Sequence, residues 1–432
     1  MTAIDRPTAD QIKQPDRPRL ADVLGPGLVT GASDDDPSGL ATYSQAGAQF
    51  GYSLIWSLLL TYPLMCAIQM ISAEIGRVTG EGLAATMRRH YPTWLLFPLV
   101  GLLIVANVIN LGADLGAMAA ALGLILPGPQ WLYIAAFAIL IALLEVFMRY
   151  ARYVSVLRWL TLSLFAYVAT VFAVGVPWPT VALNLVVPHI EWTGSYITVL
   201  VAVFGTTISP YLFFWQAAEE VEEQQEDPDA QPLIRAPDQA PHHLARIQID
   251  TLFGMGISNV VGLFIMITTA ATLNAHGVTD IQTSSQAADA LRPIAGRFAF
   301  TVFALGIVGT GMLALPVLAG SAAYALGEAL RWPVGLARRA SRAKAFYGTI
   351  AVATLAGAGL NFTPLDPIKA LFWSAVINGV AAVPIMAMIM LLGIRQAVMG
   401  RFTLTRPLLI LGWLATAVMA SAAIGMFATW GG

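Results

Sequence analysis

The amino-acid sequence predicts an all-α polytopic membrane protein with about eleven transmembrane helices. Of its 432 residues, 57% are hydrophobic and only 11% are charged, whereas a soluble globular domain carries about 25% charged residues. Apolar runs of roughly the 20 residues that cross the hydrocarbon core of a bilayer recur along the chain. The Lys and Arg residues alternate in step with those runs, which is typical of a polytopic protein.

Eleven segments are long and apolar enough to be spans, and together they predict one transmembrane domain over residues 20–432. They lie near 21–48, 53–76, 94–126, 130–148, 155–176, 195–224, 247–275, 298–327, 345–361, 368–393 and 406–429. Residues 1–19 are polar, charged and rich in proline, without the apolar core of a signal peptide, which predicts a disordered cytoplasmic tail.

The distribution of basic residues predicts the orientation. Twenty of the 23 Lys and Arg residues fall on one side of the membrane when the N-terminus is placed inside. Cytoplasmic loops are enriched in these residues, and one missed helix would scramble the alternation. We therefore expect a multi-pass protein of a bacterial-type inner (plasma) membrane, with a cytoplasmic N-terminus and an external C-terminus. A net charge of −2 gives no reason to expect nucleic acid as a partner.

The first apolar segment is interrupted by Asp34, Asp35, Asp36, Pro37 and Gly39. Each carboxylate at membrane depth costs about 2.5–3.5 kcal/mol, while Pro and Gly unwind a helix and free its carbonyl oxygens. Because carboxylate and carbonyl oxygens are the ligands of hard cations, we expect a cation site here. In the alternative interpretation, the helix begins after Pro37 and the aspartates form a solvated N-cap.

The sixth apolar segment contains a similar interruption, Gly205-Thr-Thr-Ile-Ser-Pro210. The two breaks lie five helices apart, as in transporters built from two inverted repeats whose broken helices form a site at the midplane. We expect repeat one at about 21–176, repeat two at about 195–393 and an extra helix at 406–429. A proline kink without function is the alternative interpretation of the second break.

Other polar residues inside the apolar segments are weaker indications of function. Asp114, Asn259 and Asn378 can each be satisfied by an interhelical hydrogen bond, although an ionisable residue at the depth of Asp114 is a functional candidate. Glu145 precedes Arg149 by one helical turn, which predicts an ion pair. The acidic segment 219–229 predicts a frayed, solvated helix end followed by a mobile loop, with an acidic exit vestibule for cations as the alternative.

Several function classes are not expected from this sequence. It contains no glycine-rich nucleotide-binding loop, which argues against an ATP-driven pump, and nothing in it indicates an enzyme, a cofactor or an obligate protein partner. The single cysteine, Cys66, lies in an apolar run and is predicted to be a packing residue. The five histidines fall in predicted loops or at helix ends and form no metal-binding cluster: His90, His189, His242, His243 and His276.

Long stretches of the sequence resemble the NRAMP family of divalent metal transporters. The resemblance runs from Gly25-Pro-Gly through the tenth helix. It is carried by Ser44-Gln-Ala-Gly-Ala-Gln-Phe-Gly-Tyr, by Leu291-Arg-Pro-Ile-Ala-Gly and by Val317-Leu-Ala-Gly-Ser. The resemblance implies a LeuT-type core of five plus five helices, with a metal site between broken helices 1 and 6.

Two departures from the family pattern concern this metal site. The family's Asp-Pro-Gly-Asn is Asp36-Pro-Ser-Gly39 here, and its Met-Pro-His is Ser209-Pro-Tyr211. A hydroxyl thus replaces a thioether, and oxygen donors suit Mg²⁺, Ca²⁺ and Mn²⁺, whereas thioethers favour softer metals. A site without the Asn and Met side chains is also roomier and suits a partly hydrated ion. This pattern is similar to that of the NRAMP-related magnesium transporters.

A third departure concerns proton coupling. The family's Asp-Leu-x-Glu on helix 3 keeps its aspartate as Asp114 but has Ala117 in place of the glutamate. The family's histidines on helix 6 correspond to Tyr211 and Gln216, neither of which relays protons near neutral pH. The expected consequence is transport without proton coupling.

We therefore expect transport of Mg²⁺ and Mn²⁺ across a lipid bilayer by alternating access. Asp36 would supply the main charge, and the other expected ligands or site residues are Ser209, the carbonyl of Thr206, Gly39, Asn378, and Asp35 or Asp34 for the ion or its water. Asp114, Tyr211 and Gln216 are candidates for an ion or proton pathway. The alternatives are a proton- or sodium-coupled carrier of a transition metal or small solute on the same fold, and a sensor or scaffold that binds metal without flux.

Overall fold

The computed structural model describes residues 26–147, 164–363 and 366–430. The predicted tail at 1–19 and the start of the first span near residue 21 lie outside the described residues. Every element assigned in the described part of the chain is helical. Its α-helices are α1 (Pro26–Asp34), α2 (Pro37–Phe50), α3 (Trp56–Thr79), α4 (Leu83–His90), α5 (Thr93–Gly123), α6 (Gln130–Phe147), α7 (Phe165–Ala173), α8 (Trp178–Val186), α9 (Gly194–Thr207), α10 (Pro210–Glu226), α11 (Ala240–Thr272), α12 (Ser284–Asp289), α13 (Arg292–Ala295), α14 (Ala299–Leu330), α15 (Lys344–Leu360), α16 (Pro367–Gly393), α17 (Gln396–Met399) and α18 (Arg406–Ala428).

The predicted spans coincide with these helices. Each of the eleven apolar segments overlaps a helix, although residues 155–163 of the fifth segment lie outside the described part. Seven helical segments of the described chain are long and apolar enough by themselves to cross a membrane. The first predicted span consists of two helices, α1 and α2, and so does the sixth, which consists of α9 and α10.

The two breaks have the same local cause. Proline disfavours the α conformation in the residue before it, and the residues before Pro37 and Pro210 are both extended, with ψ of 168° at Asp36 and 127° at Ser209. Each proline then occupies the first turn of the following helix, where its missing N–H is not needed. Each span therefore stops and restarts within the bilayer.

The helices approach closely where glycines face each other. A Cβ atom on Gly205 would lie 2.0 Å from the carbonyl oxygen of Ala375 and 2.4 Å from the backbone nitrogen of Gly379, so α9 crosses α16 backbone to backbone. Likewise, a Cβ atom on Gly31 would lie 2.3 Å from the carbonyl carbon and oxygen of Gly254. Small residues permit this packing in membrane helices, and it holds both broken spans against continuous helices.

The outer surface carries large apolar side chains, as expected of a surface that faces lipid. More than 60% of the residue is exposed at each of five apolar positions on predicted spans, Ile139, Val352, Leu355, Ile410 and Ile424. A soluble protein does not expose a belt of this kind. The predicted burial of the chain in a bilayer thus agrees with where its apolar side chains lie.

The acidic end of the sixth span is ordered, and the prediction of a frayed end was wrong. Helix α10 continues to Glu226, and Arg246 of α11 forms ion pairs with two of its acids, with N–O distances of 2.6 Å to Glu220 and 2.9 Å to Glu223. The following loop is held by backbone hydrogen bonds from residues 233 and 234 to the end of α3. The predicted partner of Glu145, Arg149, lies outside the described residues.

The glycine crossing predicts a stability effect. Gly205→Ala should lower the free energy of unfolding by about 1–3 kcal/mol, because backbone atoms of α16 must move to admit the methyl group. Gly101→Ala is the matched control, since its Cβ would meet nothing within 4 Å and alanine favours helix. Thermal unfolding of the detergent-solubilised protein measures both variants, and equal melting temperatures would contradict the close crossing.

Candidate cation site

Asp36 is the buried carboxylate at the first break. Only 1% of the residue is exposed, and its two oxygens have different partners. Oδ1 accepts the backbone N–H of Gly39 at 2.6 Å, which caps α2. Oδ2 accepts the side-chain amide of Asn110 at 3.1 Å and lies 3.4 Å from the hydroxyl of Tyr211. These donors stabilise the carboxylate in a place where water is scarce.

The two helix breaks meet beside Asp36. A Cβ atom at position 39 would lie 3.1 Å from Thr206 Oγ1 and 3.4 Å from Asp36 Oδ1. The hydroxyl of Tyr211, in the first turn of α10, lies 3.3 Å from the carbonyl oxygen of Ser33 at the end of α1. Gly39 therefore occupies the narrow contact between the first and second breaks, and a larger side chain there would crowd both.

The three neighbouring aspartates do not converge on one point. The hydroxyl of Ser258 on α11 lies 2.7 Å from Asp34 Oδ2 and 3.0 Å from Asp35 Oδ1. Asp36 instead contacts α5 and α10, as its partners above show. The structure thus separates Asp34 and Asp35, which contact α11, from Asp36, which lies at the meeting point of the breaks.

Ser209 occupies the second break with its hydroxyl turned back to its own helix. Its Oγ lies 2.9 Å from the carbonyl oxygens of both Gly205 and Thr206. Because a hydroxyl has one proton and two lone pairs, it donates to one of these carbonyls and keeps acceptor capacity. The carbonyl of Thr206, which was the expected ligand, is therefore beside the Ser209 hydroxyl, while the Thr206 side chain faces Gly39.

Several buried polar atoms near the breaks have no partner among the residues that the structure describes. They include Thr206 Oγ1 and both the nitrogen and the oxygen of the Asn378 side chain. Asn378 is 1% exposed and lies one helical turn after Ser374, so the two share a face of α16. A buried amide with no partner is costly, which marks Asn378 and Thr206 as groups suited to a polar ligand.

The three candidate pathway residues lie on two helices, Asp114 on α5 and both Tyr211 and Gln216 on α10. Tyr211 contacts Asp36 directly, as described above. Asp114 on α5 is fully buried and approaches the backbone of Ser38 in the first turn of α2. Gln216 lies further along α10, where its Nε2 donates to Thr251 Oγ1 at 3.1 Å. Tyr211 and Asp114 thus adjoin the break itself, whereas Gln216 joins α10 to α11.

Sequence reasoning missed three residues that shape this site. Asn110 on α5 donates to Asp36, Ser374 on α16 donates to Asn110 at 2.7 Å, and Ser258 contacts the other two aspartates. A signal existed for Asn110, because it precedes Asp114 by four residues and so lies on the same helix face. The serines gave none, since serine is common in membrane helices and usually bonds within its own helix. Asn259 was a weak candidate, and it donates to the carbonyl of Leu58 at 3.1 Å.

The site offers one close carboxylate and several neutral oxygens. Across residues 26–147, 164–363 and 366–430, no three His, Cys, Asp or Glu side chains are grouped as metal ligands. Hard cations accept hydroxyl, amide and carbonyl oxygens alongside a carboxylate. A site with a single close carboxylate has a lower affinity for such an ion than a site with several carboxylates, which suits an ion that must bind and then dissociate.

Comparison with known proteins places the chain in a family. A family described as "Natural resistance-associated macrophage protein-like" (Nramp) matches residues 27–429. The divalent metal cation transporter MntH of Klebsiella pneumoniae (strain 342) is 27% identical over 408 residues, which cover 92% of this chain and 92% of that protein.

Solved structures share the fold. The manganese transporter of Eremococcus coleocola, in complex with an aromatic bis-isothiourea substituted compound, aligns with a TM-score of 0.70 at 18% identity, over 94% of this chain and 86% of that one. A nucleobase-cation-symport-1 family transporter in a closed conformation aligns with a TM-score of 0.56 at 13% identity, over 94% of each chain. The predicted fold class, an all-α polytopic protein of LeuT type with helices 1 and 6 broken, is confirmed.

The hydroxyl shared by Asp34 and Asp35 predicts a second stability effect. Ser258→Ala should lower the free energy of unfolding by about 1–3 kcal/mol, because two buried carboxyl groups lose the hydroxyl that they share as a hydrogen-bond partner. Ser72→Ala is the control, since the buried hydroxyl of Ser72 donates to the carbonyl of Ile68 in its own helix at 2.9 Å. Thermal unfolding in detergent compares the two variants. An equal loss of stability in both would show that the contacts of Ser258 with the aspartates stabilise the protein no more than a hydrogen bond within one helix does.

Proposed function

This chain belongs to the Nramp family, and we propose that it carries divalent metal cations, Mg²⁺ and Mn²⁺ in particular, across the membrane by alternating access. Members of this family are transporters rather than enzymes. A metal ion is therefore the substrate, and no cofactor is implied. The one observation that carries the proposal is the meeting of two helix breaks beside the buried carboxylate of Asp36.

The proposed ligands are oxygens from both breaks. Asp36 supplies the charge, and Thr206 Oγ1 and the Asn378 side chain supply buried polar atoms that have no other partner in the described residues. Ser209 keeps lone pairs for the ion or for one of its waters. Asp34 and Asp35, held by Ser258, act from a distance by adding negative potential near the path.

The proposed preference for Mg²⁺ and Mn²⁺ is supported by two positions. Ser209 provides a hydroxyl where the family pattern has a thioether, and oxygen donors favour harder ions. Gly39 supplies no side-chain ligand where the family pattern has an asparagine. Mg²⁺ gives up its waters reluctantly, so a site with fewer protein ligands favours an ion that keeps part of its hydration shell.

An entry route is proposed along α2 from the external side. A cavity of about 300 Å³ is lined by Ala41, Gln45 and Gln49, which follow one another at one-turn intervals on α2, and by Asp280. In the wall of this cavity, Gln45 joins α2 to the loop that follows α11, because it accepts the N–H of Ile281 at 2.9 Å and donates to the carbonyl of residue 279 at 3.2 Å. Opening of this amide bridge would admit the ion toward Asp36.

Uncoupled transport is the proposed energetic mode. Ala117 cannot exchange a proton, and the two positions that carry histidine in the family pattern hold Tyr211 and Gln216, as noted from the sequence. The membrane potential supplies about 2.3 kcal/mol per elementary charge per 100 mV, and a dication receives twice that. Because the cytoplasmic side of a cell membrane is at negative potential, the proposed direction of net flow of a dication is inward.

Removal of the Asp36 charge predicts loss of transport. Asp36→Asn keeps the N-cap of α2, because asparagine caps as well as aspartate, but it should lower Mn²⁺ and Mg²⁺ uptake into proteoliposomes by about a hundredfold or more. Asp366→Asn is the matched control, since Asp366 also caps a helix that begins with proline, accepting the N–H of Ile368 at 2.9 Å. Undiminished uptake by Asp36→Asn would refute the site.

The same uptake experiment separates the two modes of transport. With a pH dye enclosed in the vesicles, we expect uptake of Mn²⁺ without internal acidification and without dependence on an acid or sodium gradient. Acidification in step with uptake would support the coupled carrier instead. Binding of Mn²⁺ without flux in either condition would support a sensor or scaffold.

The metal preference is predicted to follow residue 209. Ser209→Met should raise the preference for Cd²⁺ over Mn²⁺ about tenfold, because a thioether favours softer metals. Ser209→Ala is the control, since it removes the hydroxyl without adding sulfur and should leave the Cd²⁺ preference unchanged. Competition of Cd²⁺ with Mn²⁺ uptake measures the preference, and the same result for both variants would contradict the assignment of residue 209 to the site.

A further inference from the structure

Asn110 joins three helices at the buried carboxylate. Its Nδ2 donates to Asp36 Oδ2 at 3.1 Å, and its Oδ1 accepts the hydroxyl of Ser374 at 2.7 Å. Neither Asn110 nor Ser374 is more than 1% exposed. The amide nitrogen must face Asp36 in this arrangement, because an ionised carboxylate only accepts hydrogen bonds.

Ser374 can satisfy Asn110 in either orientation of its amide. The hydroxyl oxygen of Ser374 lies 2.7 Å from Asn110 Oδ1 and also 2.7 Å from the carbonyl oxygen of Leu371. With one proton and two lone pairs, it donates to Asn110 in the observed orientation. If the amide turns over, the hydroxyl donates to Leu371 instead and accepts the N–H of Asn110.

A bound cation would require this turn. Of the two oxygens of Asp36, Oδ1 is committed to the helix cap through Gly39, so Oδ2 is the oxygen available to a cation. A cation at Oδ2 and an N–H group compete for the same lone pairs, and the positive end of the N–H bond is repelled by the ion. Rotation of a terminal amide by about 180° about χ2 exchanges its nitrogen and oxygen without moving the backbone.

We infer that Asn110 turns its amide when the cation binds and contributes Oδ1 as a ligand, with Ser374 as the positioning residue for both orientations. This inference rests on the proposed function, because it concerns the same ion. It adds a ligand from α5, outside the two broken spans. In the empty site the amide N–H of Asn110 donates to Asp36 and stabilises its charge. In the occupied site the amide oxygen of the same residue binds the cation.

A second asparagine on the same helix provides a matched control. Asn107, one turn before Asn110, is also buried, and its Nδ2 lies 2.9 Å from the carbonyl oxygen of Leu318 and 2.8 Å from the hydroxyl of Ser321. Like Asn110 it has a serine as one partner, but its other partner is a carbonyl oxygen of α14 rather than the carboxylate of an aspartate. Its replacement disturbs packing without touching the site.

The test compares Asn110→Leu with Asn107→Leu in the full chain, measured as Mn²⁺ uptake into proteoliposomes. Asn110→Leu should raise the KM for Mn²⁺ about tenfold, because one ligand is lost, while turnover at saturating Mn²⁺ changes little. Asn107→Leu should keep the wild-type KM. If Asn110 were only a packing residue, as Asn107 is, its replacement would leave the KM unchanged. That result overturns the inference and leaves the proposed function intact.

A second measurement decides the matter if Asn110→Leu does not fold. Anomalous diffraction from Mn²⁺ in crystals of the wild-type protein locates the ion. We expect Asn110 Oδ1 at about 2.0–2.6 Å, the range of hard-cation oxygen ligands. An ion beside Asp36 with the Asn110 side chain beyond ligand distance would overturn this inference and leave the proposed function intact. A wild-type protein that neither binds nor transports Mn²⁺ would contradict the proposed function as well.

Discussion

The conformation of the residue before each mid-membrane proline is the constraint on which the site depends. Asp36 and Ser209 are held extended by Pro37 and Pro210, so two helices stop where no lipid can satisfy their free backbone groups. The side chains at the breaks take over that task. Asp36 caps the N–H of Gly39, and the Ser209 hydroxyl covers carbonyls at the end of α9. A helix can break inside a bilayer only if polar side chains satisfy the freed backbone groups, and these side chains form the polar centre of the protein.

Close packing then places the two breaks together. The backbones of α9 and α16 touch at Gly205 and Gly379, so the second break is fixed against a continuous helix that also carries Ser374 and Asn378. A further helix, α5, supplies Asn110 to the first break. The broken spans are therefore positioned by unbroken ones, and movement of either break must rearrange the hydrogen bonds that join it to those helices.

The sequence allowed the spans and both breaks to be predicted, because hydropathy and the restriction that proline imposes are local properties. It could not show which way the three aspartates face, since helical periodicity no longer applies where a helix unwinds. Asp34 and Asp35 share Ser258, which lies more than 220 positions away. The ordered end of α10 was not predicted for a similar reason, because Arg246, which forms ion pairs with Glu220 and Glu223 there, comes from the following helix. Pairings between distant residues are set by packing, and a single sequence does not record them.

The charge balance of the proposed site bears on whether transport of a dication needs a proton. In the proposed uncoupled cycle, one close carboxylate gives the empty site a charge of about −1, and a bound dication makes it about +1, so that cycle moves two charges through the membrane field. At 100 mV this corresponds to about 4.6 kcal/mol, which supports a concentration ratio above about a thousandfold. Such a gradient needs no second driving ion. An alanine at position 117 and a tyrosine at 211 are therefore compatible with accumulation of the metal, provided that neutral donors such as Asn110 keep the single charge of Asp36 stable between ions.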